Sequence, residues 1–175
     1  MNKPLGVISS CKDPHGRETI ISLIPSSLRK GLHPVGRLDS DSRGAILLTN
    51  NGDLTLRLTH PKYAHTKSYL VLIKGKPEKS VLNAWRKGVM LEGKITMPAK
   101  VELLDKVNYN TLLKVTLKEG RNRQIRKVAD LFGHPVQDLQ RIAISNIKLN
   151  GLQEGHWREL KNNEWTSIIN QKEFN

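Results

Sequence analysis

One cysteine and no long apolar run mark this sequence, and each scarcity removes a class of protein. The lone Cys11 cannot close an internal disulfide, and without cysteine partners the six histidines lack the ligand spacing of a structural zinc site. His60 and His65 therefore read as loop residues. Nowhere do about eighteen apolar residues run together, and the opening Met1-Asn2-Lys3-Pro4-Leu5-Gly6 has no charged segment leading into an apolar one, as a secretory leader would. A Walker-type phosphate loop, internal repeats and low-complexity tracts are also missing. Acidic residues are scarce too: 16 Asp and Glu against 29 Lys and Arg leave a net charge of +13 over 175 residues. Such an excess is the footprint of a polyanionic partner, with nucleic acid ahead of a membrane surface because no long basic amphipathic helix stands out. The expectation is a cytoplasmic protein forming one folding unit.

What is present reads as α+β, with short strands, short helices and polar turns in alternation. Residues 3–10 read as a turn or extended start, and Glu18 to Ile24 as a short helix stopped by Pro25. Ala45 to Thr49 is a continuous apolar run of strand length, followed by Asn50-Asn51-Gly52-Asp53, which can cap a helix carrying Leu54 and Leu58 on one face. Ser68 to Lys74 reads as a strand, Pro77 to Arg86 as a helix burying Val81, Leu82 and Trp85, and the alternating Leu113, Val115 and Leu117 as another strand. After the tight turn at Glu119-Gly120-Arg121-Asn122, Arg123 to Phe132 predicts a helix with Ile125, Val128, Ala129 and Phe132 on one stripe and Gly133 as its stop. Residues 151–165 read as a turn and a closing strand.

With no metal ligands or thiol pair, any catalysis falls to side-chain acids, bases or nucleophiles, and carboxylates are the remaining candidates. The run Gly36-Arg37-Leu38-Asp39-Ser40-Asp41-Ser42-Arg43-Gly44 places Asp39 in a polar, glycine-bounded loop ahead of the apolar run. Neighbouring guanidinium groups favour its charged form, and a carboxylate so presented can attack an electrophilic sugar carbon. Taken alone, the same pattern also fits a surface ion pair that anchors the loop.

The Gly-Arg-Leu-Asp run does not stand alone. Asn2-Lys3-Pro4-Leu5-Gly6-Val7, Lys67-Ser68-Tyr69-Leu70-Val71, Leu117-Lys118-Glu119-Gly120-Arg121-Asn122-Arg123-Gln124-Ile125-Arg126 and Gly151-Leu152 with Gly155-His156-Trp157-Arg158-Glu159-Leu160 follow in order along the chain. Together these segments resemble the RsuA/RluB/RluE type of ribosomal RNA pseudouridine synthase over nearly the whole chain. The resemblance implies a mixed, mainly antiparallel sheet flanked by helices, an active-site cleft between two lobes, and isomerisation of a uridine in ribosomal RNA, with large-subunit RNA the expected substrate and no cofactor or metal. It implies that Asp39 attacks C1′ or removes a proton from C2′ to give a glycal, two routes that stay open. Tyr69 would stack on the flipped uracil and help remove the C5 proton, and Arg126 matches the position whose basic side chain pairs with the catalytic aspartate. Arg37 would enter the base stack as the target nucleotide leaves it. Lys3, Lys67, Arg121, Arg123 and Lys127 complete the set expected to face RNA.

Ser42 stands where threonine is commoner in the family, and Ala45 where leucine is frequent. Many members also carry an apolar leading strand and an S4 RNA-binding domain before the Lys-Pro motif. Here residues 1–175 are expected to be a single catalytic domain lacking both, like the RluE-like branch, acting as a monomer on ribosomal RNA or a pre-ribosomal particle. The competing reading is an RNA-binding or ribosome-assembly protein of the same fold without activity. The joint presence of Asp39, Tyr69 and Arg126 favours the enzyme.

Overall fold

Turn residues and runs of β-branched side chains cut the chain into short elements. The computed structural model describes residues 1–63 and 65–169. In chain order the strands and α-helices are β1 (Asn2–Lys3), β2 (His33–Val35), β3 (Arg43–Ala45), β4 (Leu47–Thr49), α1 (Gly52–Thr59), β5 (Lys67–Lys74), α2 (Lys79–Lys87), β6 (Met90–Leu91) and β7 (Lys94–Ile95). They continue as β8 (Lys100–Val107), β9 (Asn110–Leu117), α3 (Gln124–Leu131), β10 (Val136–Ile144), β11 (Ile147–Lys148) and α4 (Asn162–Ile169). Two compact units result, Met1–His65 with Arg141–Asn175 and Thr66–Gln140.

In the first unit, β1 lies antiparallel to β3 with Lys3 opposite Gly44, and β2 lies antiparallel to β4 with Val35 opposite Leu47. The apolar run expected to be one strand is thus two, broken at Ile46. Successive side chains of a strand point to opposite sides, and here each side feeds a different core. Ala45 and Leu47 pack with Val35, Leu58, Ile144 and Ile147, whereas Ile46 packs with Val7, Ile20 and Ile21. Ile46 and Met1 exchange both backbone bonds at 3.0 Å, so the pairing of β3 with β1 runs out at the first residue of the chain, after which β4 pairs with β2. Asn51 caps α1 as its position suggests, its side-chain oxygen accepting from Leu54 N at 3.1 Å.

Two further expectations are corrected in this unit. Glu18 to Ile24 forms turns rather than a helix: Ile8 N donates to Glu18 O and Ile20 N to Ile8 O, both at 2.9 Å, so backbone groups that a helix would pair internally are taken by a distant segment, while Ile20, Ile21 and Ile24 are buried. The tail forms no closing strand. Gly155 N donates to Asn2 O and Asn2 N to His156 O, at 2.8 and 2.9 Å, a two-residue clasp on β1. Arg158 then forks onto the Glu164 carboxylate at 2.7 and 2.6 Å, while Lys161 N donates to Glu164 Oε2 at 2.9 Å. These bonds fold the chain back onto the first turn of α4 and hold the Glu164 carboxyl down at about 2.

In the second unit, β5, β9 and β8 form an antiparallel run in which Tyr69 faces Val115 and Val115 faces Val101. Burial alternates along β9, with Thr111, Leu113, Val115 and Leu117 inside, the period-two pattern visible in the sequence. Helix α2 is tied to β8 by the Arg86 guanidinium, which donates to Val101 O at 2.8 and 2.7 Å, and Trp85 lies 6.4 Å from the Phe132 ring. Helix α3 buries Ile125, Val128 and Ala129 and stops at Gly133, whose φ of +74° suits glycine. Among the described residues, no helix is long and apolar enough to cross a membrane.

Gly44 gives the first unit a sharp test. Its φ is +117°, and a Cβ added there would lie 2.2 Å from Arg141 O and 2.6 Å from Arg141 N, backbone atoms that cannot move aside cheaply. Gly44→Ala is therefore expected to cost about 3 kcal/mol or more. Urea denaturation measures this directly, and a midpoint equal to that of the wild type would show the close approach to be unimportant.

Candidate active site

Asp39 sits half-buried on the turn between β2 and β3, and the groups around it in the first unit explain why that turn is rigid. Ser9, buried, holds Leu38 from both directions: its hydroxyl donates to Leu38 O at 2.8 Å and accepts from Leu38 N at 3.0 Å. Ser42 N closes the turn onto Asp39 O at 3.1 Å, and Gly6 N donates to Ser40 O at 2.8 Å. Arg141, also buried, donates from Nε to Ala45 O at 2.6 Å and from Nη1 to Arg37 O at 3.5 Å. Arg43 pairs with Glu154 at 2.6 Å. The backbone on either side of Asp39 is thus anchored by side chains from distant parts of the sequence. Arg37, expected to enter a base stack, is exposed.

Lys3 departs from expectation. The resemblance implies an RNA-facing side chain, yet Lys3 is 0% exposed and its ammonium donates to Val7 O at 2.7 Å and Pro4 O at 2.8 Å. A buried ammonium has no free face for a phosphate. Burial pushes its pKa down to about 8, with Arg141 adding to the fall, while the Asp41, Asp39 and Glu154 carboxylates pull it back up. Lys3 is therefore an internal cation within electrostatic reach of Asp39.

The second unit holds the other expected residues. Tyr69, on β5, is 8% exposed, with little of its surface open to solvent. Lys67 stands half-buried at the start of the same strand. Arg126 is half-buried on α3, and Arg123 is exposed just before that helix. Arg121 and Lys127 are half-buried and each pairs with protein groups. Arg121 donates to Glu119, Lys94 O and Ile95 O, and Lys127 Nζ pairs with Glu92 at 2.6 Å. These pairs occupy both cations within the protein, the Lys127–Glu92 pair at the surface with its carboxylate exposed.

Ser9, Arg141 and Glu119 are the supporting residues that sequence reasoning missed. Ser9 and Arg141 reach the loop across separations of 29 and 104 residues, which no local motif reveals. Glu119 lies in the Glu-Gly-Arg-Asn-Arg-Gln segment, where the sequence alone does not show that its carboxylate accepts from Met97, Arg121 and Gln124. Among the described residues, no three His, Cys, Asp or Glu side chains come together as a metal site. The first unit can present a fixed carboxylate, a group suited to attack on a sugar carbon or to proton removal.

Comparison with known proteins agrees with this chemistry. A family model described as RNA pseudouridylate synthase matches residues 1–130. The chain is 40% identical over 164 residues to ribosomal large subunit pseudouridine synthase B of Bacillus subtilis (strain 168), covering 93% of this chain and 67% of that protein. It is 38% identical over 174 residues to ribosomal large subunit pseudouridine synthase E of Vibrio parahaemolyticus, covering 91% and 72%. A solved pseudouridylate synthase structure superposes with a TM-score of 0.87 at 34% identity, covering 96% of this chain and 71% of that one.

The buried Lys3 ammonium makes stability depend on pH in a defined direction. Between about pH 8 and 10.5 the unfolded chain still holds this proton and the folded protein has lost it, so this residue's contribution to stability rises with pH across that window. Lys3→Met removes the effect. Urea unfolding at pH 7 and pH 10 should show the wild type gaining on the variant by roughly 1 to 3 kcal/mol. A stability difference that stays flat, or shifts the other way, would contradict a buried, proton-shedding Lys3.

Proposed function

Because this chain belongs to the RNA pseudouridylate synthase family, we propose that it converts a specific uridine of large-subunit ribosomal RNA to pseudouridine, with Asp39 as the catalytic carboxylate. The observation that carries the assignment is the anchoring of Asp39: its turn is held by Ser9, Gly6 and Arg141, with the Lys3 ammonium behind it. Residues 1–175 act here as one catalytic domain, and the RNA is met in the cytoplasm.

The reaction is an isomerisation, so nothing is consumed and no co-reactant is needed. The N1–C1′ bond breaks and the uracil leaves with the electron pair. It turns within the site, and C5 then bonds to C1′ while the C5 proton is lost and N1 gains one. Asp39 either bonds to C1′ and is later displaced, or removes the C2′ proton and returns it. Both routes need a charged carboxylate at a fixed distance from the sugar. Tyr69 faces the uracil and helps take the C5 proton, a task suited to an aromatic ring with a polar tip. Arg126 supplies the guanidinium partner of the carboxylate. Arg37, exposed beside Asp39 in sequence, fills the gap in the base stack left by the target nucleotide, and Lys67 and Arg123 contact phosphate.

Tritium release from ribosomal RNA transcripts labelled at uridine C5 reads this reaction directly. Asp39→Asn keeps the shape and removes the charge, and is expected to slow release by at least about 1000-fold while RNA still binds. Equal release by variant and wild type, or none by either on transcripts and precursor particles, would overturn the assignment. RNA affinity is expected to fall at least about tenfold between 50 and 200 mM salt, because phosphate contacts carry much of the binding. A filter-binding series showing no such fall would argue against a phosphate-dominated interface.

A further inference from the structure

Helix α3 starts under unusual conditions. The residue at its N-cap position, Arg123, has φ of +51°, where side chains other than glycine and asparagine are seldom at ease, and it makes no side-chain capping bond to the helix. Something outside the helix must fix its first turn, and the hydrogen bonds lead to Glu119. Its Oε1 accepts from Gln124 Nε2 at 2.7 Å and from Met97 N at 2.8 Å, and its Oε2 accepts from Arg121 Nε at 3.1 Å. Gln124, the first residue of α3 and 5% exposed, uses its Oε1 to accept from Arg121 N at 3.2 Å. Arg121 then reaches outward to Lys94 O and Ile95 O on β7. One carboxylate thus joins the approach loop, the first helical residue and the segment after β7, in a network where each donor named has an acceptor.

We propose that Glu119 is a positioning residue: it fixes the height and rotation of α3 and so the aim of Arg126, two residues beyond Gln124. The proposal rests on the role given above to Arg126. The carboxylate does this better than an amide could, because it accepts from three donors at once, one of them a guanidinium. It also explains why the Glu-Gly-Arg-Asn-Arg-Gln segment carries a glutamate and a glutamine among its arginines. Those two side chains face inward and set the geometry from which the later arginine works.

The test combines single-turnover tritium release at saturating RNA with RNA affinity, for wild type, Glu119→Gln, Glu119→Ala, Arg126→Ala and the Glu119→Ala/Arg126→Ala pair. Glu119→Ala is expected to slow release by about 10- to 100-fold, the scale of a misplaced reacting group, while the Kd for RNA changes less than about threefold. With Arg126 already replaced, the same change should cost less than about twofold. Glu119→Gln keeps one acceptor oxygen and guards against a variant that fails to fold; it should lie between wild type and Glu119→Ala. Full-rate release by Glu119→Gln, losses that multiply in the paired variant, or weaker binding at an unchanged rate would each overturn the positioning role. A full-rate Arg126→Ala would overturn the role of Arg126 and this route through it together. A wild type inactive on every RNA would overturn the activity itself, and the positioning role with it, whereas an active wild type beside a full-rate Glu119→Gln would overturn the positioning role alone.

Discussion

The burial of one ammonium group under the Asp39 turn is the constraint on which the first unit depends. Taking a lysine out of water is costly, and the lowered pKa of Lys3 records that cost. Two backbone carbonyls, Pro4 O and Val7 O, satisfy part of its hydrogen-bonding capacity, and the carboxylates of Asp41, Asp39 and Glu154 recover part of its charge stabilisation. The arrangement works in both directions. The ammonium needs carboxylates nearby, and a loop carrying Asp39 and Asp41 close together needs a cation to offset their mutual repulsion. Removing one partner would leave the other side uncompensated, which is the usual penalty of a buried charge set.

A second constraint has the same character but a different location. In the loop before α3, Glu119 gathers donors from Met97, Arg121 and Gln124, and the helix begins from that fixed point despite the strained backbone at Arg123. Both units therefore hold their functional segments with buried or half-buried polar networks rather than with apolar packing alone. Such networks hold one geometry firmly because a misplaced partner leaves a polar group unsatisfied, at about 1–3 kcal/mol each. A catalytic carboxylate and its basic partner need that kind of definition more than they need extra stability.

Local features were legible in the sequence where neighbours in the chain are also neighbours in space. The Asn51 cap, the alternation along β9, the apolar stripe of α3 and the stop at Gly133 all follow from periods and turn residues a few positions apart. The failures share one cause. The break at Ile46, the turns at residues 18–24 and the burial of Lys3 are decided by partners elsewhere in the chain, which no local pattern shows. The Asp39 segment was recognisable as a motif, while Ser9 and Arg141, which hold it, carry no signal that a local pattern could expose.

The central claim is that this fixed carboxylate converts one uridine of large-subunit ribosomal RNA. Its most direct measurement is chemical derivatisation of pseudouridine followed by primer extension across unmodified large- and small-subunit RNA treated with the wild type or with Asp39→Asn. The account predicts a new stop in large-subunit RNA with the wild type and none with the variant. The same stop with both proteins, or a stop confined to small-subunit RNA, would contradict it.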